Sequence, residues 1–361
     1  MAQSRQLTAA AAIAAGAAAA GAAALMGARR IALRRLRAGQ DPAAGEPLGQ
    51  LSGRPLTVLA TDGLALHAEI SGPDDAPVTI IFSHGYTLNM DVFHYQHALA
   101  GSYRLVCWDQ RSHGRSGRSD PARVTISQLG EDLRSVLLAT SPGAAPVLLA
   151  GHSMGGMTVL ALARLHPELF GARVAGAALL SPVAAAAVPV GWLPPPLRPV
   201  ARLAARAGLR RAAAGRGRTL AGLIRAAGAD LAFLGTRWTA FGDPRVSPLV
   251  VDYLERIIRA TPLDVLAQFC LAMLEHDELP AVGVLGRIPV LVLAGGRDRM
   301  VAPRRSAELA AAMPGAELVS VPAAGHAVIL ECPDIVNAAI ASLAGRLAAA
   351  ATPCGSGQPA R

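Results

Sequence analysis

The chain contains no lysine, so every basic side chain is an arginine. We read that as coding bias with little functional content. Aromatic residues make up only 4% of the sequence. A core must therefore be built from Ala, Val, Leu and Ile. Cysteine is limited to Cys107, Cys270, Cys332 and Cys354, far apart and without a C-x-x-C pair. That spacing argues against a disulfide framework and a zinc-ligand set, and no metal site is expected. Cys107 falls in an apolar run and reads as a small buried filler. Acidic residues are missing from residues 1–40, which hold Arg5, Arg29, Arg30, Arg34, Arg35 and Arg37. Those arginines supply +6 of the formal +9, leaving +3 for the rest of the chain. No aromatic residues interleave with the basic ones, so no nucleic-acid partner is expected. A basic excess beside an apolar stretch points instead to a membrane surface.

Residues 7–26 carry no charge. At 1.5 Å per residue such a helix spans about 30 Å, the thickness of a bilayer's hydrocarbon core. The segment is mostly Ala, so its insertion is marginal. One arginine precedes it and five follow closely, which would keep the body of the chain in the cytoplasm. A membrane anchor, a cleaved signal with export, and an Ala-rich leader that is disordered or lies on the surface remain open. Residues 1–40 form this N-terminal segment, and residues 41–54, with Pro42, Gly45, Pro47 and Gly49, read as a linker.

One stretch organises everything after that linker. An apolar run over 146–150 stops at Gly151, His152, Ser153, Met154, Gly155 and Gly156, and a helical pattern follows over 157–165. Strand, sharp turn and helix with a serine at the apex is the logic of a nucleophile elbow. The flanking glycines lack the Cβ that so tight a turn would force into backbone. The helix N-terminus favours negative charge developing beside it.

Around this stretch, strands and helices alternate. A hairpin is expected over 56–71, strands over 78–82, 103–108 and 174–180, and helices over 91–100 and 126–140. Alternation resumes with strands at 290–294 and 317–321 and helices at 304–312 and 333–348. This implies an α/β architecture with a mostly parallel sheet covered by helices. The expected core is 55–182 and 287–348, and residues 349–361 read as a disordered tail. Between the two core segments, residues 183–286 lose the alternation and show helix-period patterns near 198–213, 218–234, 247–260 and 262–275. They read as an inserted helical lid. Arg198, Arg202, Arg206 and Arg210 recur every four residues there, on one helical face. That face is either solvated or turned toward anionic lipid.

A serine hydroxyl needs a base, and the base needs an orienting acid. Asp298 follows the strand at 290–294 and His326 follows the strand at 317–321. In an open α/β sheet such strand ends lie along one edge. The order Ser153, Asp298, His326 is the order used by folds built around a nucleophile elbow. For the oxyanion, the backbone N–H of Met154 is one expected donor. The N–H of Tyr86, in the loop after the strand at 78–82, is the other. His84, Gly85 and His152 flank these donors and are candidate substrate contacts. The pair His276 and Asp277 is a weaker candidate contact from the insertion.

These residues resemble the α/β-hydrolase superfamily, in its lid-bearing branch of serine esterases and lipases. The resemblance covers residues 55–348. It rests on Ser83, His84, Gly85 and Tyr86; on the run 109–116; on Gly151 to Gly156; on Gly296, Arg297 and Asp298; and on Gly325 and His326. It implies the α/β-hydrolase fold and hydrolysis through an acyl-enzyme, with no cofactor. It also implies that the run 109–116 is a supporting loop, so His113 supports rather than reacts. Where the family often carries glycine, this chain has Ser112, read here as a small change. Relatives with an aspartate nucleophile are disfavoured by Ser153. The expected substrate is a small acyl ester, tilted toward lipid-like or other apolar acyl groups. Other readings of the same scaffold are a cofactor-free haloperoxidase or perhydrolase, a C–C hydrolase, an acyltransferase, and a non-catalytic binding protein.

Overall fold

The computed structural model describes residues 41–50, 52–143, 145–183 and 229–351, with residues 207, 208, 210 and 213 between them. The N-terminal segment 1–40, most of 184–228 and the tail beyond 351 lie outside the described residues. So do the helices expected near 198–213 and over most of 218–234, and most of the arginine stripe.

Two compact units make up the chain. The smaller joins residues up to Glu46 with Ser247–Leu249. There the Asp41 carboxylate accepts from Ser247 Oγ and, at 3.0 Å, from Leu249 N–H.

The larger unit is built on eight strands: β1 (Arg54–Leu59), β2 (Ala65–Ser71), β3 (Thr79–Ser83), β4 (Arg104–Trp108), β5 (Val147–His152), β6 (Val174–Leu180), β7 (Val290–Gly295) and β8 (Glu317–Val321). Their order in the sheet is β1-β2-β4-β3-β5-β6-β7-β8. β1 and β2 form the expected antiparallel hairpin, and β2 also runs antiparallel to β4. From β4 to β8 every pairing is parallel. The central strands are buried on both faces, which is why they read as unbroken apolar runs rather than alternating ones.

Helices cover both faces. Alternate residues Ile81, Val106, Val147, Leu149, Ala177, Leu179, Val290 and Val292 join one apolar cluster. That cluster also contains residues of α1 (Ile126–Thr140), α2 (Met154–Leu165), the short α6 (Val282–Leu285) and α7 (Pro303–Ala311). The other face takes the 3-10 segment Met90–Gly101, whose Phe93 ring lies 4.9 Å from that of Phe82. It also takes α8 (Val328–Glu331) and α9 (Pro333–Ala351), whose Leu347 reaches Gly176. The expected helix over 91–100 is thus a 3-10 run, broken by non-helical angles at Phe93. α9 is long and apolar enough to cross a membrane, yet Val336, Ile340, Leu343, Ala344 and Leu347 are buried in the core.

Between β6 and β7 the chain forms α3 (Ala229–Ala240), α4 (Pro248–Ala260) and α5 (Leu263–Glu275). All five strands β3 and β5–β8 end along the same edge because they are parallel. That edge carries the loops which follow.

Candidate functional site

Ser153 occupies the turn between β5 and α2 with φ 52° and ψ −114°. A non-glycine residue held there stores about 1–3 kcal/mol of strain, a cost that persists only where the surroundings fix the backbone. Here the surroundings do: Ser153 N–H donates to Leu180 O at 2.9 Å. A Cβ at Gly155 would lie 1.9 Å from Ser83 O, and one at Gly151 would lie 2.4 Å from Gly155 O. Ser153 also stands at the N-cap of α2, yet its side chain makes no capping hydrogen bond. Serine at this position ordinarily caps. The turn instead leaves the hydroxyl free of the helix.

Asp298 and His326 meet across their loops. Asp298 Oδ2 lies 2.7 Å from His326 Nδ1, and both side chains are almost fully buried. The other carboxyl oxygen accepts the N–H groups of Met300 and Val301, each at 2.8 Å. With Nδ1–H donated to the acid, the ring's Nε2 is the atom that carries a lone pair. The loops themselves are joined: Gly296 N–H donates to Val321 O and Arg297 N–H to Ala324 O. A Cβ at Gly295 would lie 2.1 Å from Gly325 O, so the close approach needs glycine. No hydrogen bond joins Ser153 Oγ to His326 among the described residues. The serine reaches the pair through its neighbour. His152 Nε2 lies 3.0 Å from His326 O, and the two imidazole rings are 5.2 Å apart.

The loop after β3 lies against the same turn. A Cβ at Gly85 would be 3.3 Å from Ser153 Cβ and 2.9 Å from His152 Nδ1. Tyr86 follows Gly85, and Met154 opens α2, so both expected backbone donors border Ser153. The first N–H groups of any α-helix lack an intrahelical acceptor.

Two of the expected substrate contacts are placed otherwise by their side chains. His84 is fully buried. Its Nδ1–H donates to Gly85 O at 2.8 Å and its Nε2 accepts Gln110 N–H at 2.9 Å, which leaves no ring nitrogen for a ligand. Gln110 is held in turn by His84 O and the Thr158 hydroxyl. His152 is likewise buried and donates to His326 O. Both histidines brace the site. Burial pushes the imidazole of His84 down to about 4 and that of His152 to about 3, so both are neutral. His276 also turns inward, its Nδ1 on Met273 O at 2.6 Å.

The run 109–116 supports the loop after β3, as the resemblance implies. Asp109 accepts Met90 N–H and Arg115 N–H, each at 2.8 Å. Arg111 is wholly buried and grips Asp132 through Nε and Nη2 at 2.6 and 2.7 Å, with Asp62 at 3.1 Å. His113 is buried with its Nδ1 on Arg111 O, and burial lowers it to about 3. Ser112 is not the small change it reads as in sequence. Its φ is 65°, a left-handed angle that favours glycine, and its hydroxyl accepts Ser119 N–H at 2.9 Å.

Two contributors, Ser181 and Glu331, carry no sequence signal of their own. Ser181, at φ 49°, donates its hydroxyl to His326 O at 3.1 Å. Only its place one residue past β6 hints at the site. Glu331 of α8 accepts Gly325 N–H at 2.6 Å and Gly242 N–H at 2.9 Å, fixing the turn before His326. The Tyr86 phenol donates to Leu266 O, as taken up below. Among the described residues, no group of His, Cys, Asp and Glu is placed to hold a metal ion.

Comparison with known proteins agrees with this fold. An acetyltransferase component of an acetoin-cleaving system from Pseudomonas putida is 29% identical over 74% of this chain, which spans 63% of that relative's length. A Caulobacter protein assigned as a carbamate hydrolase is 28% identical over 77% of this chain and 94% of its own. Among solved structures, a thermophilic esterase from Thermogutta terrifontis superposes with a TM-score of 0.65 at 24% identity, covering 81% of this chain and 98% of that one. An enol-lactonase from Burkholderia xenovorans gives 0.62 at 24% identity, over 80% and 99% of the two chains. At such identities the structural likeness speaks for the fold. The family profile described as the alpha/beta hydrolase family matches residues 80–339. With that match over most of its length, and with this sheet, the chain belongs to the alpha/beta hydrolase family.

Proposed function

We propose that this chain is a serine hydrolase that cleaves carboxylic esters through an acyl-enzyme. The observation that carries the reading is the 2.7 Å hydrogen bond between Asp298 and His326, on the edge where Ser153 stands strained and uncapped. Esterase and enol-lactonase activity in the structural neighbours supports ester chemistry.

Ser153 Oγ attacks the ester carbonyl carbon while His326 Nε2 takes the hydroxyl proton. Asp298 holds the imidazole in the required tautomer and faces the imidazolium that forms. The carbonyl oxygen, now an oxyanion, receives the N–H groups of Tyr86 and Met154. Collapse expels the alcohol, which takes the proton from His326. Water, deprotonated by the same imidazole, then attacks the acyl-serine and releases the acid. No cofactor enters these steps. Helices α3–α5 act as a lid over apolar acyl groups.

The test is hydrolysis of p-nitrophenyl esters of graded chain length. Wild type is expected to turn them over and Ser153→Ala to lose that activity. Undiminished hydrolysis by Ser153→Ala would end the reading.

Membrane association through residues 7–26 is a companion proposal. It rests on their lack of charge and on the arginines that follow, and it puts the catalytic unit on the cytoplasmic side.

A further inference from the structure

The loop carrying the Tyr86 N–H is tied to the insertion by side-chain hydrogen bonds. Tyr86 Oη donates to Leu266 O, in the first turn of α5, at 2.6 Å. Thr261 Oγ1, in the turn between α4 and α5, donates to Thr87 O at 2.9 Å. Tyr253 Oη, from α4, donates to Asp91 O. The tethered residues span 86–91, directly after Gly85.

Packing repeats the pattern. Val265 and Phe269 of α5 share a buried cluster with Met154, and Tyr86 and Met273 pack against it. The residues bearing both expected oxyanion donors are therefore in one apolar group with α5. Met154 is fixed by its own helix, which starts on β5. Tyr86 lies outside regular structure, because its strand ends at Ser83 and the next residues form an irregular turn, with Thr87 at φ 67°. From the sheet side the segment receives the Asp109 bond at Met90 and the His84 Nδ1–H bond to Gly85 O, and within it Leu88 N–H donates to that same carbonyl. The Gly85–Tyr86 peptide is thus held at its carbonyl by His84 and Leu88, and on the Tyr86 side by the insertion. The phenol pins its Cα, and Thr261 pins the carbonyl of the next residue.

We infer that the turn between α4 and α5 is part of the oxyanion hole's scaffold, with Thr261 and the Tyr86 phenol as positioning residues. Acyl chemistry is then coupled to the seating of α4–α5: a substrate that unseats α5 loses a donor, and one that fits beneath it keeps both. This inference rests on the proposed role of the Tyr86 N–H.

The variants are Thr261→Val, Tyr86→Phe and Thr261→Ser. Two readouts are needed: kcat and KM on p-nitrophenyl butyrate, and amide hydrogen exchange across 84–91. A misaimed donor costs part of the ~10²–10³ in rate that a lost one does. Thr261→Val and Tyr86→Phe should each lower kcat by about tenfold with little change in KM. Exchange over 84–91 should quicken while β5 stays protected. Thr261→Ser, which keeps the hydroxyl, should match wild type in both. Wild-type kcat and wild-type exchange in both deletion variants would overturn the inference, as would raised KM at constant kcat. If wild type itself fails to hydrolyse the ester, the functional reading fails. Exchange then decides the tether: unchanged protection of 84–91 in Thr261→Val overturns it.

Discussion

His152 donates its Nε2–H to the backbone carbonyl of His326 at 3.0 Å, so the residue beside the strained serine holds the backbone of the proposed base. Ser181 Oγ donates to the same carbonyl at 3.1 Å. The base is thereby held at its side chain by Asp298 and at its main chain from β5 and β6. Replacing Ser181 by Ala keeps the left-handed backbone but removes one of those donors. A buried hydrogen bond of this kind contributes about 1 kcal/mol. Ser181→Ala is expected to lose about that much stability and to lower kcat by several-fold. Urea unfolding and steady-state kinetics check both.

The buried histidines make stability depend on pH. His84, His113 and His152 are depressed to about 4, 3 and 3 by burial, from an ordinary value of 6.5. The unfolded chain therefore binds protons that the folded chain refuses. Stability is fully present above pH 6.5 and is lost as pH falls through that value toward 4 and 3. Each such group contributes a slope of up to about 1.4 kcal/mol per pH unit within its window. Urea midpoints at pH 7.5, 6.5 and 5.5 should drop between the last two. A flat profile would contradict the neutral burial of these rings.

Arg111 offers a second stability test. Its guanidinium is wholly buried between Asp132 and Asp62, and the two acids hold it above the ordinary guanidinium range. Arg111→Met leaves the fully buried Asp132 without its cation. Removing one partner of a buried pair costs about 3–5 kcal/mol. Thermal unfolding of this variant should show a large loss; a shift of a few degrees would not fit.

The proposed membrane association has a test separate from that of catalysis. Full-length protein and a chain starting at Ser52 should partition differently on detergent-free fractionation, with only the former in the pellet. Equal solubility of the two would remove the anchor, whatever the catalytic result.

Much of the fold was legible because its signals are local. The strand at 174–180 was readable to the residue, since a parallel strand buried on both faces leaves an unbroken apolar run. Ser153, Asp298 and His326 were readable as strand-end residues, and the Asp298–His326 pair followed from the shared edge. What was missed depends on contacts distant in sequence. His84 and His152 look like pocket residues until their ring nitrogens are followed to Gln110 N–H and His326 O. Ser112 looks like a trivial replacement until its φ of 65° is known. Thr261, Ser181 and Glu331 are ordinary polar residues in any one-dimensional reading. Their partners Thr87, His326 and Gly242 lie 174, 145 and 89 residues away.

The central claim is that Ser153 is a nucleophile raised by His326. Incubation with a fluorophosphonate probe followed by peptide mass mapping tests it most directly. The account predicts one adduct on the peptide containing Ser153, formed rapidly by wild type and slowed by at least about a hundredfold in His326→Gln. Labelling of another residue, or labelling of Ser153 at the same rate without the imidazole, would contradict it.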